Sequence, residues 1–254
     1  MILGYHEQGS GPPLVLVHGF PVDGRVWNGQ LKGLSGDRRV IAVDLRGRGR
    51  SPAADEQGWT MDTYATDVAE TLSHLGIDKA DIAGFSMGGY VLFSLWRSHP
   101  EVFRSMILVS TRSTEDPPEG KEGRVRVAAL AREKGSAALA GMMFGKFFAP
   151  GVDEAVKDKV KEILQSIPGT TSASDSLAMR ERPDSTGDLP GISVPVLVIH
   201  GEQDALMPLE VARSMAEAVP DCRFAPIADA GHFALVEQPS AVNAAIAEFL
   251  SGLH

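Results

Sequence analysis

Residues 80–89 read ADIAGFSMGG, a short apolar run that leads directly into the pattern Gly-x-Ser-x-Gly. This pattern is typical of a sharp turn between a strand and a helix, with the serine hydroxyl exposed at the turn. Gly84 and Gly88 carry no side chains, so a strained backbone can pass close to its neighbours there. Because residues 90–96 (YVLFSLW) suit a helix, the stretch predicts that Ser86 is a nucleophile between a strand and a helix.

A serine nucleophile needs a general base. His232 is the predicted base, because it follows Gly231 in a loop between the last predicted strand and the last predicted helix. Two other histidines, His18 and His200, end predicted strands. We expect His18 to be a scaffold residue that holds its loop, and His200 to be a neighbour of the acidic turn that follows it.

The base in turn needs an acid that orients its ring. Asp204 follows the predicted strand 194–200, at the end of the sheet where catalytic groups gather in open α/β folds. The order Ser86, Asp204, His232 along the chain is the order expected for nucleophile, acid and base after such a turn. We therefore predict Asp204 as the acid, and four other carboxylates stay open as alternatives: Glu202, Asp229, Glu115 and Asp116.

Two backbone N–H groups must face the negative charge that develops on the substrate oxygen. One is predicted to be the amide of Met87, the residue after the nucleophile, at the N-terminus of its helix. The other is expected in the loop 18–23 (HGFPVD), where Gly19 permits a tight turn and Phe20 offers its amide. Pro21 has no N–H, so it can only stiffen this loop.

Composition narrows the class of protein. The 254 residues, 43% hydrophobic and 22% charged, are enough for one large domain with a buried core. The net charge of −9 disfavours nucleic acid as a partner, because phosphates repel a negative surface. The single cysteine, Cys222, excludes a disulfide within the chain and is interpreted as a small, half-buried residue of a late strand. With no signal peptide pattern and no apolar run of about 18 residues, we expect a soluble, cytoplasmic protein without membrane partners.

Short apolar runs alternate with longer helical patterns, which indicates an α/β fold with a mostly parallel central sheet flanked by helices. The strands are predicted at 2–6, 14–18, 40–43, 80–84, 106–110, 194–200 and 223–227. They are nearly continuous in hydrophobicity, as strands covered on both faces are. The helices between them are predicted at 61–75, 87–98, 210–218 and 241–250.

The alternation breaks between residues 111 and 190, where helical patterns at 123–133, 136–148 and 153–165 occur without strands. We predict that 111–190 form a helical lid inserted into a core made of 1–110 and 191–254. The apolar cluster of this segment offers Met142 and Phe147 as pocket residues, and the alternative is that they only pack the lid onto the core. Adjacency to the predicted catalytic residues adds three further lining candidates: Phe20, Leu206 and Phe233.

Five motifs, in this order along the chain, resemble those of the α/β-hydrolase superfamily: 18–20 (HGF), 44–51 (DLRGRGRS), 84–89 (GFSMGG), 201–204 (GEQD) and 231–232 (GH). The similarity covers everything except the predicted lid. It implies Ser86 as nucleophile, His232 as base and Asp204 as acid, with the amides of Phe20 and Met87 as oxyanion donors and no metal or organic cofactor. It also implies that the arginines of 46–50 lie in a glycine-rich turn, so they require no nucleic acid.

Ser86 argues against the haloalkane dehalogenases and epoxide hydrolases of this superfamily, which use an aspartate at this position. The motifs are most similar to those of carboxylesterases, enol-lactonases and cofactor-free haloperoxidase relatives. We therefore predict a carboxylic ester hydrolase that acts on a small-molecule ester or lactone through an acyl-enzyme on Ser86. Three other activities stay open on the same residues: lactonase, perhydrolase-like and carbon–carbon bond hydrolase activity. The resemblance suggests the perhydrolase-like activity because Pro21 follows Phe20. A non-catalytic ligand receptor is disfavoured because all three catalytic elements are present, and the oligomeric state is left open.

Overall fold

A seven-stranded sheet forms the centre of the computed structural model, which describes residues 1–52 and 58–253. Its strands are β1 (Tyr5–Gln8), β2 (Pro13–Val17), β3 (Arg39–Val43), β4 (Ala80–Phe85), β5 (Phe103–Val109), β6 (Val196–Gly201) and β7 (Cys222–Ile227). Their order in the sheet is β1-β3-β2-β4-β5-β6-β7. β1 runs antiparallel to β3, and the other neighbouring strands are parallel. The predicted α/β fold with a mostly parallel sheet is confirmed.

Helices cover both faces of this sheet, because successive strand residues point to opposite faces and both sets are apolar. In β2, Val15 and Val17 pack into one buried cluster and Leu14 and Leu16 into the other. The helices are α1 (Asn28–Leu34), α2 (Met61–His74), α3 (Met87–Ser98), α4 (Pro118–Lys134), α5 (Ala137–Met143), α6 (Glu154–Ser166), α7 (Gly169–Arg180), α8 (Leu209–Glu217), α9 (Ala234–Glu237) and α10 (Pro239–Ser251). None of the helices described is long and apolar enough to cross a membrane.

The segment between β5 and β6 contains α4, α5, α6 and α7. The first and third correspond to the helical patterns at 123–133 and 153–165. The pattern at 136–148 gives a shorter helix than predicted, because α5 ends at Met143 and a 3₁₀ turn follows over Phe144–Lys146. Gly141 and Gly145 lie in this stretch, and glycine favours neither helix continuation nor a fixed backbone.

α7 is not predicted by the sequence patterns, because its sequence, GTTSASDSLAMR, lacks the strong apolar periodicity of an amphipathic helix. Most of its buried side chains are instead small, and small side chains allow close packing against α4. Ser172 hydrogen-bonds Ser136 at 2.6 Å between their hydroxyl oxygens, and Ser176 Oγ donates to the Arg124 carbonyl at 2.9 Å. Hydroxyls that are satisfied in this way can be buried without a large penalty.

Residues 46–50 form a turn, as the resemblance implied. Two of its arginines form ion pairs with carboxylates of the same chain. Arg46 Nε donates to Asp67 Oδ2 of α2 at 2.7 Å. Arg48 is fully buried, and its Nη2 donates to Asp175 Oδ1 of α7 at 2.5 Å. The turn therefore connects the end of β3 to α2 and to α7.

Candidate active site

Ser86 lies on the sharp turn between β4 and α3, where the sequence pattern predicted it. Its backbone has φ +51° and ψ −112°, a strained conformation that non-glycine residues rarely adopt. The flanking glycines make the turn possible, because a Cβ on Gly84 would come within 2.6 Å of the Gly88 backbone, and one on Gly88 within 2.3 Å of the Val17 carbonyl oxygen. The turn holds Ser86 at the carboxyl end of the sheet.

His232 comes from the loop between β7 and α9, and its Nε2 lies 3.0 Å from Ser86 Oγ. The preceding amide, that of Gly231, donates to the Glu237 carboxylate at 3.0 and 3.1 Å to its two oxygens, which ties the loop to α9. The imidazole is buried against the rings of Phe85 and Phe147, at centroid distances of 5.3 and 6.5 Å. The loop is thus held so that the ring faces the serine hydroxyl.

Asp204 orients this ring, with its Oδ2 at 2.8 Å from His232 Nδ1. Its other oxygen accepts the N–H groups of Leu206 and Met207, at 2.8 and 3.0 Å. Burial alone raises the pKa of Asp204, but the charge of His232 and these hydrogen bonds outweigh burial and lower its pKa below the ordinary value. An ionised Asp204 can only accept, so Nδ1 carries the proton and the Nε2 lone pair faces Ser86.

The four alternative acids lie elsewhere. Glu202, Asp229 and Glu115 are exposed, and Asp116 is buried among arginine side chains. The residue that the structure brings to His232 is the predicted one, Asp204.

The loop that follows β2 lies against the serine turn. A Cβ on Gly19 would come within 3.0 Å of Ser86 Cβ, so this loop approaches the nucleophile as closely as its backbone allows. The Met87 amide is the first of α3, and the first amides of a helix have no acceptor within it. The backbone amide of Phe20, the residue after Gly19, has no hydrogen-bond acceptor among the residues described. Both amides predicted as oxyanion donors are therefore near Ser86 and open.

His18 and His200 have the supporting positions that the sequence suggested. His18 Nε2 accepts the Leu45 N–H at 2.9 Å and its Nδ1 donates to the Gly19 carbonyl at 2.8 Å. Burial, with the charge of Arg48, lowers the pKa of His18 to about 3, so its ring stays neutral. His200 Nε2 donates to the Met207 carbonyl at 2.7 Å, and burial lowers its pKa as well.

A cavity of about 110 Å³ opens at Ser86 and His232. Three of the predicted lining residues border it: Phe20, Phe147 and Leu206. The predictions for Met142 and Phe233 are wrong. Met142 is 53% exposed on the outer side of α5, and its neighbour Met143 borders the cavity instead.

Phe233 is fully buried behind His232 and does not border the cavity. Its ring packs at centroid distances of 5.0 Å from Phe85 and 4.9 Å from Phe147. Adjacent residues in a loop point in different directions, so a residue next to His232 does not share the direction of its side chain.

Besides Met143, five residues border the cavity that were not predicted as lining: Tyr90, Arg112, Arg124, Met179 and Met207. Two carried a usable signal. Tyr90 lies four residues after Ser86, one helical turn along α3, and residues at this spacing share a helix face. Arg112 follows the end of β5, and strand ends at this edge of the sheet meet around the nucleophile.

No group of three histidine, cysteine, aspartate or glutamate side chains in 1–52 and 58–253 could hold a metal ion. Cys222 is half-buried at the start of β7, and burial raises the pKa of its thiol to about 11. It is the small, half-buried strand residue that the sequence suggested.

A serine, a histidine and an aspartate in a hydrogen-bonded series at the carboxyl end of a parallel sheet are the features of an α/β hydrolase. The family model described as alpha/beta hydrolase fold matches residues 12–239, and the chain belongs to this family. Family membership and the relatives below support hydrolase activity.

Three solved structures illustrate the relationship. A thermophilic esterase from Thermogutta terrifontis, with malate bound, is 39% identical, with a TM-score of 0.96 over 99% of this chain and 94% of that chain. The enol-lactonase from Burkholderia xenovorans LB400 is 28% identical, with a TM-score of 0.90 over 98% and 96% of the two chains. A bromoperoxidase from Bacillus anthracis is 25% identical, with a TM-score of 0.86 over 97% and 94%. These are the three branches that the motifs resembled.

Proposed function

We propose that this protein is a serine hydrolase that cleaves carboxylic esters with short acyl groups. The observation that carries the proposal is the series of contacts from Ser86 Oγ through His232 to Asp204, at 3.0 and 2.8 Å, in a small cavity. The similarity to the Thermogutta terrifontis esterase supports the ester as substrate class.

Ser86 Oγ attacks the carbonyl carbon of the ester, and its proton passes to His232 Nε2. The amides of Phe20 and Met87 donate to the oxyanion that forms. The carbon–oxygen bond to the alcohol then breaks, and His232 returns the proton to the leaving alkoxide oxygen. Asp204 stays ionised throughout and stabilises the imidazolium.

The acyl-enzyme is released by water in the same way. A water molecule gives a proton to His232 as its oxygen attacks the acyl carbon. The bond to Ser86 Oγ then breaks, and the proton returns to that oxygen. The products are a carboxylic acid and the free serine.

We also propose that the inserted segment acts as a lid. Four of its residues border the cavity: Arg124 of α4, Met143 of α5, Phe147 after α5 and Met179 of α7. A cover made from several helices excludes water from the acyl-enzyme site and limits the size of the acyl group.

The acyl group is expected to be short. A cavity of about 110 Å³ is well below the roughly 300–1,000 Å³ of ordinary ligand pockets, so it leaves room for only a short chain. Among p-nitrophenyl esters from acetate to decanoate, we expect kcat/KM to be highest for acetate or propionate and to fall steeply beyond butyrate. A flat profile, or a maximum at octanoate, would contradict the acyl pocket assigned here.

The nucleophile is tested without reference to any substrate. A fluorophosphonate probe is expected to label the folded protein on Ser86, located by mass spectrometry of the peptides, and not the heat-denatured protein. Labelling without ester hydrolysis would support Ser86 as the nucleophile but not esters as the substrates. Lactones would then be tested first, because the similarity to an enol-lactonase favours them. Carbon–carbon bond hydrolysis and perhydrolysis would follow. No labelling at Ser86 would contradict the proposed function.

A further inference from the structure

A cluster of three arginines surrounds a single carboxylate at one wall of the Ser86 cavity. Asp116 is 3% exposed and accepts a hydrogen bond from each of them. Arg124 Nε lies 2.8 Å from Asp116 Oδ2, and Arg182 Nη2 lies 3.0 Å from Oδ1, which Arg112 Nη2 also contacts. Burial alone raises the pKa of Asp116, but these guanidinium groups outweigh burial and lower its pKa well below the ordinary value. One negative charge is thus matched by three positive ones.

Two neighbouring acids, Glu115 and Asp184, act on Arg182 and reduce this excess, but both are exposed and neither borders the cavity. Glu115 is exposed, and its carboxylate pairs with Lys121 at 2.5 Å. Asp184 is exposed and accepts the backbone N–H groups of Thr186 and Glu115, at 2.7 and 3.4 Å. The cluster therefore keeps a positive excess beside the nucleophile.

The three arginines have two different positions. Arg182 packs inside the cluster, and Arg112 and Arg124 border the cavity. Arg182 is held by the carbonyl oxygens of Met179 and Thr114, at 2.7 and 3.0 Å. Its guanidinium stacks on the Tyr90 ring at 4.1 Å from the centroid. Arg112 and Arg124 border the Ser86 cavity instead, with side chains that are 22% and 19% exposed.

Several hydrogen-bond donors on the groups that border the cavity have no acceptor among the described residues. The Tyr90 hydroxyl and Arg112 Nε are buried and have no partner in the part of the chain that the structure describes. Arg124 bonds Asp116 through Nε alone, and its two terminal nitrogens have no acceptor within 1–52 and 58–253. Buried donors without partners cost free energy in the unliganded protein, so an acceptor supplied by a ligand would bind here favourably.

From this arrangement we propose that Tyr90, Arg112 and Arg124 form a subsite for a carboxylate on the substrate. The substrate class is then esters that carry a free carboxylate, such as monoesters of short dicarboxylic acids. A guanidinium presents paired N–H donors that match a carboxylate, and the cavity admits a short chain between that carboxylate and the ester carbonyl. This inference rests on the proposed function and names its substrate class.

The test compares two substrates with the same carbon skeleton, monomethyl succinate and its neutral counterpart dimethyl succinate. We expect wild-type protein to prefer the anionic ester in kcat/KM. Arg124→Gln is expected to lower this preference by about tenfold to a hundredfold, the range for a lost hydrogen bond between charged groups, through KM more than kcat. The control is Arg126→Gln on the same helix, since Arg126 is 69% exposed and should leave the preference unchanged.

A second variant guards against loss of structure, because Arg124 also supports Asp116. Tyr90→Phe removes only the hydroxyl and is expected to lower the preference by about tenfold as well. The thermal unfolding midpoint of each variant establishes that it is folded. If both variants are folded and keep the wild-type preference for the anionic ester, the subsite is overturned. The arginines would then only pack α4 against its neighbours.

Calorimetric titration of succinate separates this proposal from the hydrolase itself. Succinate binding that Arg124→Gln weakens tenfold or more, and Arg126→Gln does not, supports the subsite even if no ester is cleaved. Hydrolysis of p-nitrophenyl acetate without succinate binding and without anionic preference would overturn the subsite and leave the hydrolase standing.

Discussion

An Asp204→Asn variant is expected to hydrolyse p-nitrophenyl acetate about 10⁴-fold more slowly than wild type, although the change replaces one oxygen atom by nitrogen. The reason lies in the partners of the two carboxylate oxygens. Oδ1 accepts two backbone N–H groups, from Leu206 and Met207, and Oδ2 accepts from His232. An asparagine has to place its only acceptor on one side and its N–H₂ group on the other.

The two backbone amides decide which side receives the oxygen. If the side-chain amide nitrogen faced Leu206 and Met207, two buried N–H groups would lose their acceptor, which costs more than one lost hydrogen bond. The nitrogen therefore faces His232, and its N–H requires Nδ1 to accept. The ring proton then moves to Nε2, toward Ser86, and His232 has no lone pair with which to take the serine proton.

The effect is measured as kcat for p-nitrophenyl acetate, and the rate of the Ser86→Ala variant gives the background. Asp204→Asn should keep the unfolding midpoint of wild type within a few degrees, because every backbone contact of the side chain is retained. A loss of less than about tenfold would mean that another group orients His232, and the acid would have to be reassigned.

The second large effect is expected on stability. Arg48, Tyr64 and Asp175 are fully buried, and Asp175 Oδ1 accepts from both Arg48 Nη2 and the Tyr64 hydroxyl. Within the described residues, Arg48 forms its ion pair with Asp175 alone, so Asp175→Asn leaves an unpaired guanidinium charge inside the protein. We expect the free energy of unfolding to fall by about 3–5 kcal/mol, measured by urea denaturation with an unchanged m-value.

An exposed ion pair provides the matched control. Glu154 is 79% exposed and pairs with Lys157 at 2.6 Å, so Glu154→Gln should change the free energy of unfolding by less than about 0.5 kcal/mol. Replacing the buried pair together, as Arg48→Met with Asp175→Leu, should recover much of the loss, since no unpaired charge remains. Equal effects of Asp175→Asn and Glu154→Gln would show that Arg48 finds another partner.

This buried ion pair also bears on the proposed lid. Arg48 belongs to the turn 46–50 and Asp175 to α7, which carries Met179 at the cavity. α4 and α7 pack against each other, and α4 carries Arg124. Loss of the pair is therefore expected to raise KM for short esters along with lowering stability.

Much of the candidate active site could be predicted because its sequence signals are local. The glycines around Ser86 are required by close backbone contacts within a few residues of the turn, so they appear as a short pattern. His232 and Asp204 follow strand ends, and the parallel order of the sheet brings strand ends to one edge. Among five candidate carboxylates the sequence favoured Asp204, and the structure places this residue 2.8 Å from His232 Nδ1.

The amino-acid sequence was sufficient for the strands of the sheet, for the core helices α2, α3, α8 and α10, and for proposing Ser86 and His232 as nucleophile and base. Each of these depends on hydrophobic period or on turn chemistry over a few residues. Packing between distant segments was needed for the rest. It placed Met143 rather than Met142 at the cavity, buried Phe233, and formed α7 from small polar residues without apolar periodicity. It also brought Arg112 and Arg124 together around Asp116 beside Tyr90. The approach of helices across such distances is set by how their side chains fit one another, and no local period in the sequence records that fit.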